Sequence, residues 1–93
     1  MTRLEYLLIK LAEESSEITK DAMKSVQFGL ESDWSGKSNR DNIIFEVHDV
    51  LAVVKILNDE FDLGYKLDND KIAAKIDKIN FYYDNFICNK ESL

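Results

Sequence analysis

The chain has 93 residues, enough for one domain, and 18 Asp and Glu against 12 Lys and Arg give it a net charge of −6. That balance argues against a nucleic-acid partner gripped by its phosphates, which calls for a basic face. It admits a nucleotide, because bound Mg²⁺ reverses the sign of an acidic pocket.

With no proline and three glycines, long uninterrupted helices are expected. Thr2-Arg3-Leu4-Glu5 reads as a capping box. Leu4, Leu8, Leu11, Ser15, Ile18 and Ala22 then recur at three- and four-residue steps, which predicts an amphipathic helix over about 2–27. Phe28-Gly29-Leu30 ends it, with Gly29 in the left-handed conformation. Residues 31–38 are polar and turn-rich around Trp34, and read as an ordered loop.

A second helix is expected from Ser38 or Asn39 to about Phe61, closed by Gly64. Apolar residues from Ile43 to Phe61 cover almost its whole circumference, and a helix apolar all round must be buried all round. Two further helices of so small a monomer cannot wrap it. The expectation is therefore a homodimer or homotetramer with a shared multi-helix core. A third helix, about 68–87, follows an Asp68/Asn69 cap with the stripe Ile72, Ile76, Ile79, Tyr83, Phe86. The fold class is all-α, with no strands.

No apolar run approaches the ~20 residues that span a bilayer. Glu5, Lys10, Glu13 and Glu14 interrupt the N-terminus where a secretory signal would be apolar. The single Cys88 allows no intrachain disulfide, and reads as a small apolar residue on a terminal helix. A cytoplasmic protein with no membrane partner is expected.

At 100° per residue, Glu46 and Asp49 share one face of the second helix, among Val50, Val53, Ile56 and Leu57. His48, Lys55 and Asp59 form its polar strip elsewhere. Carboxylates pointed into an apolar side need protons, basic partners or a metal. Glu14 and Glu17 lie at the edge of the first helix's stripe, within Glu13-Glu14-Ser15-Ser16-Glu17. If the two helices pack antiparallel, four carboxylates meet and repel unless a cation sits between them. All-oxygen ligation suits Mg²⁺ or Mn²⁺ rather than zinc. The plainer alternatives are solvated acids, or Glu46 and Asp49 paired with Lys20 or Arg40.

Glu13, Glu14 and Glu17, followed after residues 18–45 by Glu46 and Asp49, resemble the Glu-Glu-x-x-Glu…Glu-x-x-Asp signature of the MazG-like all-α nucleoside triphosphate pyrophosphohydrolases, which are related to dimeric dUTPases. The Phe28-Gly29-Leu30 turn and the run Asp49–Val54 are similar too, so the resemblance covers roughly residues 4–61. It implies hydrolysis of a nucleoside or deoxynucleoside triphosphate to the monophosphate and pyrophosphate. It implies that Glu14, Glu17, Glu46 and Asp49 bind Mg²⁺, with Mn²⁺ an alternative, and makes Glu13, Glu17 and Glu46 the catalytic candidates. Glu13 serves there as a base for water or a support for the ligands.

Lys20, Lys24, Lys37 and Arg40 are candidate phosphate contacts, and Lys75 and Asn80 candidate substrate contacts from the third helix. Trp34 either stacks on a base or anchors the loop. The alternative function is a non-catalytic metal- or nucleotide-binding module, or a regulatory oligomer. A purely structural oligomer is the plainest reading.

Overall fold

The computed structural model describes residues 1–33 and 36–88, so Trp34 lies outside the described residues. It is all-α, with α1 at Arg3–Phe28, α2 at Asn39–Phe61 and α3 at Asn69–Tyr82, the last continuing as a π-helical turn at Tyr83–Ile87. The first and third helices each begin one residue later than their spacing predicts. The third changes to π geometry five residues before its expected end. Among the described residues there is no strand, only an isolated bridge between Asp33 and Ser38.

Each helix starts on the cap its sequence supplies. Thr2 Oγ1 accepts from the Glu5 N–H at 3.1 Å while Glu5 Oε1 accepts from the Thr2 N–H at 2.9 Å, closing the capping box. Ser38 Oγ accepts from the Asp41 N–H, and Asp68 Oδ1 from the Lys71 N–H.

The helix ends depart from expectation. Gly29 has φ 96° and ψ 150°, a positive-φ conformation outside the left-handed helical well that L side chains rarely adopt. Asp62, not Gly64, ends α2, in the left-handed region at φ 52° and ψ 43°. A short polar side chain tolerates that well, so the glycine is not required there.

The turn between α1 and α2 is tied by the donors that a helix N-terminus leaves over. The Asn39 N–H reaches the Ser32 carbonyl at 3.0 Å, and the Arg40 N–H reaches Leu30 at 2.9 Å. Asn39, 4% exposed, also donates from Nδ2 to the Gly29 carbonyl at 2.9 Å. Asn39→Ala strands that carbonyl and is expected to cost about 1–3 kcal/mol in urea unfolding. A loss within error would show that water takes over the bond.

α1 and α2 pack antiparallel: Leu7, Val53 and Leu57 form the buried core, with Leu11 and Ile56 against it. Arg3 closes the open end of the hairpin with two hydrogen bonds to Glu60, at 3.1 and 3.0 Å. α2 is not buried all round in the protomer. Ile44, Phe45, Val47 and Leu51 on it are 41–55% exposed. α3 joins no three-helix core, since no Cα in it comes within 8 Å of α1 or α2, and no residue from Asp59 to Ile87 is buried. The molecule measures 54 × 37 × 20 Å. Among the described residues, no helix is long and apolar enough to cross a membrane.

Candidate functional site

The antiparallel hairpin brings one acid of α1 against one of α2 in its interior. Asp21, 4% exposed, is one of two buried polar residues among the described residues, with Asn39. Glu46 faces it from α2, half-buried, close enough for each carboxyl group to act on the other. Burial pushes the Glu46 carboxyl up to about 7, helped by the interaction with Asp21 and by the negative charges of Asp21, Glu17 and Asp49. One of its oxygens, Oε2, is buried without a hydrogen-bond partner. An orphaned acceptor of this kind costs free energy that nothing in the hairpin's packing returns.

The remaining acids sit around this pair at different depths. Glu14 is half-buried on α1, two turns before Asp21. Glu17 is exposed one turn before Asp21, and pairs with Lys20, whose Nζ stands 3.9 Å away. Asp49 is exposed. It lies at the rim, near enough to Glu46 for its charge to be felt, and not in the apolar interior as its wheel position suggests. Glu13 is exposed and pairs with Lys10 at 3.1 Å.

Neither basic partner foreseen for the buried acids reaches them. Arg40 pairs with Glu31 beside the turn, and Lys20 with Glu17. Among the described residues Glu14, Glu46 and Asp49 have no ion pair, so a salt bridge does not explain the acids in the hairpin.

The other candidates scatter. Lys37 sits 3.9 Å over the Phe45 ring, a cation–π contact on the outside of α2. Lys24 is exposed on α1. Lys75 and Asn80 are on α3, away from the hairpin, so within one protomer they do not meet the acids. His48 is on the exposed side as expected, its Nδ1–H donating to the Ile44 carbonyl at 2.8 Å.

Asp21 is the residue that sequence reasoning missed. The signal was available: it follows Glu14 by seven residues and Glu17 by four, the spacing that keeps three side chains on one helix face. It lies one turn beyond the Glu13-Glu14-Ser15-Ser16-Glu17 cluster.

The donor set is all oxygen, and the orphaned Glu46 Oε2 is an acceptor that a hard divalent cation would satisfy. In chemistry the residues fit Mg²⁺ or Mn²⁺. In placement, no group of three or more His, Cys, Asp or Glu among the described residues is drawn close enough to hold a metal ion. Ligation therefore calls for side-chain rotation of the exposed Glu17 and Asp49 toward Glu46. No protein-family profile, curated protein or solved structure matches this chain.

Proposed function

We propose that the protein is an oligomeric, Mg²⁺-dependent hydrolase that splits a nucleoside or deoxynucleoside triphosphate into the monophosphate and pyrophosphate. One observation carries this reading: a half-buried Glu46 with an unpartnered oxygen, set against buried Asp21 and flanked by Glu17 and Asp49, with no ion pair to neutralise it among the described residues. Acids are kept in such a place at a cost to stability, which points to a role beyond folding. The resemblance of Glu13, Glu14, Glu17, Glu46 and Asp49 to the MazG-like signature supplies the reaction.

Glu46 and Asp49 from α2, with Glu17 and Glu14 from α1, would hold the cation, and Asp21 would bear on Glu46. When bound, Mg²⁺ screens the phosphate charges and lowers the pKa of an attacking water. Asp21 holds the Glu46 carboxyl in its orientation across the hairpin. Glu13, solvent-facing and paired with Lys10, is available to take a proton from water at the rim. Lys20, loosely engaged by Glu17, is the first candidate for a phosphate oxygen.

The test is pyrophosphate release from a panel of NTPs and dNTPs, in Mg²⁺ and in EDTA. Mg²⁺-dependent release from at least one of them establishes the enzyme; none, from folded protein, removes it for these substrates.

A second reading, a non-catalytic metal- or nucleotide-binding module, is favoured by the acids' not being gathered for ligation among the described residues. Both readings require a cation site. Millimolar Mg²⁺ is accordingly expected to raise the wild-type melting temperature, by as much as about 2.7 kcal/mol of stability at a hundredfold excess over the dissociation constant. It should leave Glu46→Gln unmoved. An unchanged wild-type melting temperature would return the protein to a purely structural reading.

A further inference from the structure

We propose that α3 is an exchange arm: its apolar stripe docks on the α1–α2 hairpin of a second copy of this chain, whose own α3 docks here in return. Arm exchange deepens the oligomeric part of the function proposed above and rests on it. It is read out by mass rather than turnover, so its failure and a failure of catalysis are told apart.

The first ground is area. The chain exposes 7514 Å². A compact monomer of 10.8 kDa exposes about 5,500 Å², so roughly 2,000 Å² is in excess. A stable dimer asks about 800 Å² of each partner, and the surplus is more than sufficient.

The second ground is that arm and hairpin each present an apolar face. On α3, Ile72, Ile76 and Ile79 fall on one side at four- and three-residue spacing, and are 45–57% exposed. On the hairpin, Leu4 and Leu8 flank the core on one edge of α1, and Ile44, Val47 and Leu51 flank it on one edge of α2. Successive 100° steps along antiparallel helices put those two edges on the same side of the hairpin. They form one continuous exposed face of suitable width for a helix, on the side away from Glu17 and Asp49.

The third ground is the exit from α2, which holds the arm off its own hairpin. The N–H groups of Asp62 and Leu63 both reach the Leu57 carbonyl. Asn58 then clamps Tyr65 from both sides, its Nδ2 donating to the Tyr65 carbonyl at 3.0 Å and its Oδ1 accepting from the Tyr65 N–H at 2.9 Å. These bonds set the path of the chain out of α2 as far as Tyr65, and a partner's hairpin takes the arm where it stands.

The test is light scattering of the full chain after size exclusion. Wild type is expected at twice the 10.8 kDa protomer mass. Ile76→Asp on the arm, or Leu8→Asp on the hairpin face, is expected to fall to protomer mass with helical circular dichroism kept, because neither residue is in the buried core. Mixing the two variants at high concentration restores a dimer under arm exchange, since one intact arm still meets one intact face. A monomeric wild type would overturn the inference, as would variants that remain dimeric or a mixture that stays monomeric.

Discussion

Glu46→Gln is expected to lower Mg²⁺-dependent pyrophosphate release by more than about 100-fold, at every triphosphate the wild type accepts. The amide has nearly the shape of the acid, so the hairpin packing around Leu7, Val53 and Leu57 is left alone. What disappears is the negative charge on a side chain that is both withdrawn from solvent and short of a hydrogen-bond partner at Oε2. A cation loses its most desolvated ligand, whereas exposed Glu17 and Asp49 bind in competition with water. Glu13→Gln serves as the contrast. Glu13 is exposed and held by Lys10, so its loss lowers turnover without weakening the response of the melting temperature to Mg²⁺. Equal release from wild type and Glu46→Gln would remove Glu46, and with it the buried pair, from the mechanism.

The same substitution is expected to stabilise the metal-free protein at alkaline pH and not at acid pH. Glu46 has its proton held to about 7 in the fold, against an ordinary 4.5. Below 4.5 it is neutral whether the chain is folded or not, and ionisation costs nothing. Between 4.5 and 7 the unfolded chain gives up the proton while the folded chain keeps it, so stability falls as pH rises. Above 7 the folded chain carries the full cost of a buried charge beside Asp21. Allowing for the solvent that still reaches Glu46, that cost is about 2 kcal/mol.

Gln has no proton to lose. Relative to wild type it therefore gains about 2 kcal/mol between pH 5 and pH 8, on the order of 10 °C in melting temperature for a chain of this size. The carboxylates held low by their partners, Glu5 by Thr2 and Glu60 by Arg3, are common to both proteins and cancel in the difference. Parallel pH profiles for the two proteins would mean that Glu46 ionises as freely folded as unfolded.

Both results, with opposite signs for activity and stability, mark a residue whose environment opposes its charge. That is why a plain helix-stabilising role is a poor account of Glu46. A carboxylate serving the fold loses stability when neutralised, as Glu60 would on losing Arg3.

The helices were legible because their causes are local. Thr2 and Glu5, Ser38, and Asp68 each announce a helix start through the hydrogen bond that a side chain makes three residues on, and each does so in the fold. Apolar spacing placed Val53 and Leu57 on the inward side of α2, whereas on α1 the core residue is Leu7, and Leu4 and Leu8 of the expected stripe are 38% and 48% exposed. Glu46 was legible as an acid among aliphatics for the same reason. Periodicity says which way a side chain points from its own helix, and no more.

What lies across the gap, and how deep each residue sinks, depends on how two helices rotate and tilt together, and that was decided only in the tertiary structure. It set Asp21, rather than Glu14 or Asp49, against Glu46, because the helix crossing covers that turn of α1 and leaves the Asp49 turn of α2 at the rim. It sent Arg40 to Glu31 and Lys20 to Glu17, leaving Glu46 with no ion pair among the described residues. It also separated α3 from the hairpin, taking Lys75 and Asn80 with it. A seven-residue exit clamped by Asn58 and Tyr65 fixes direction through two hydrogen bonds that helical periodicity does not encode.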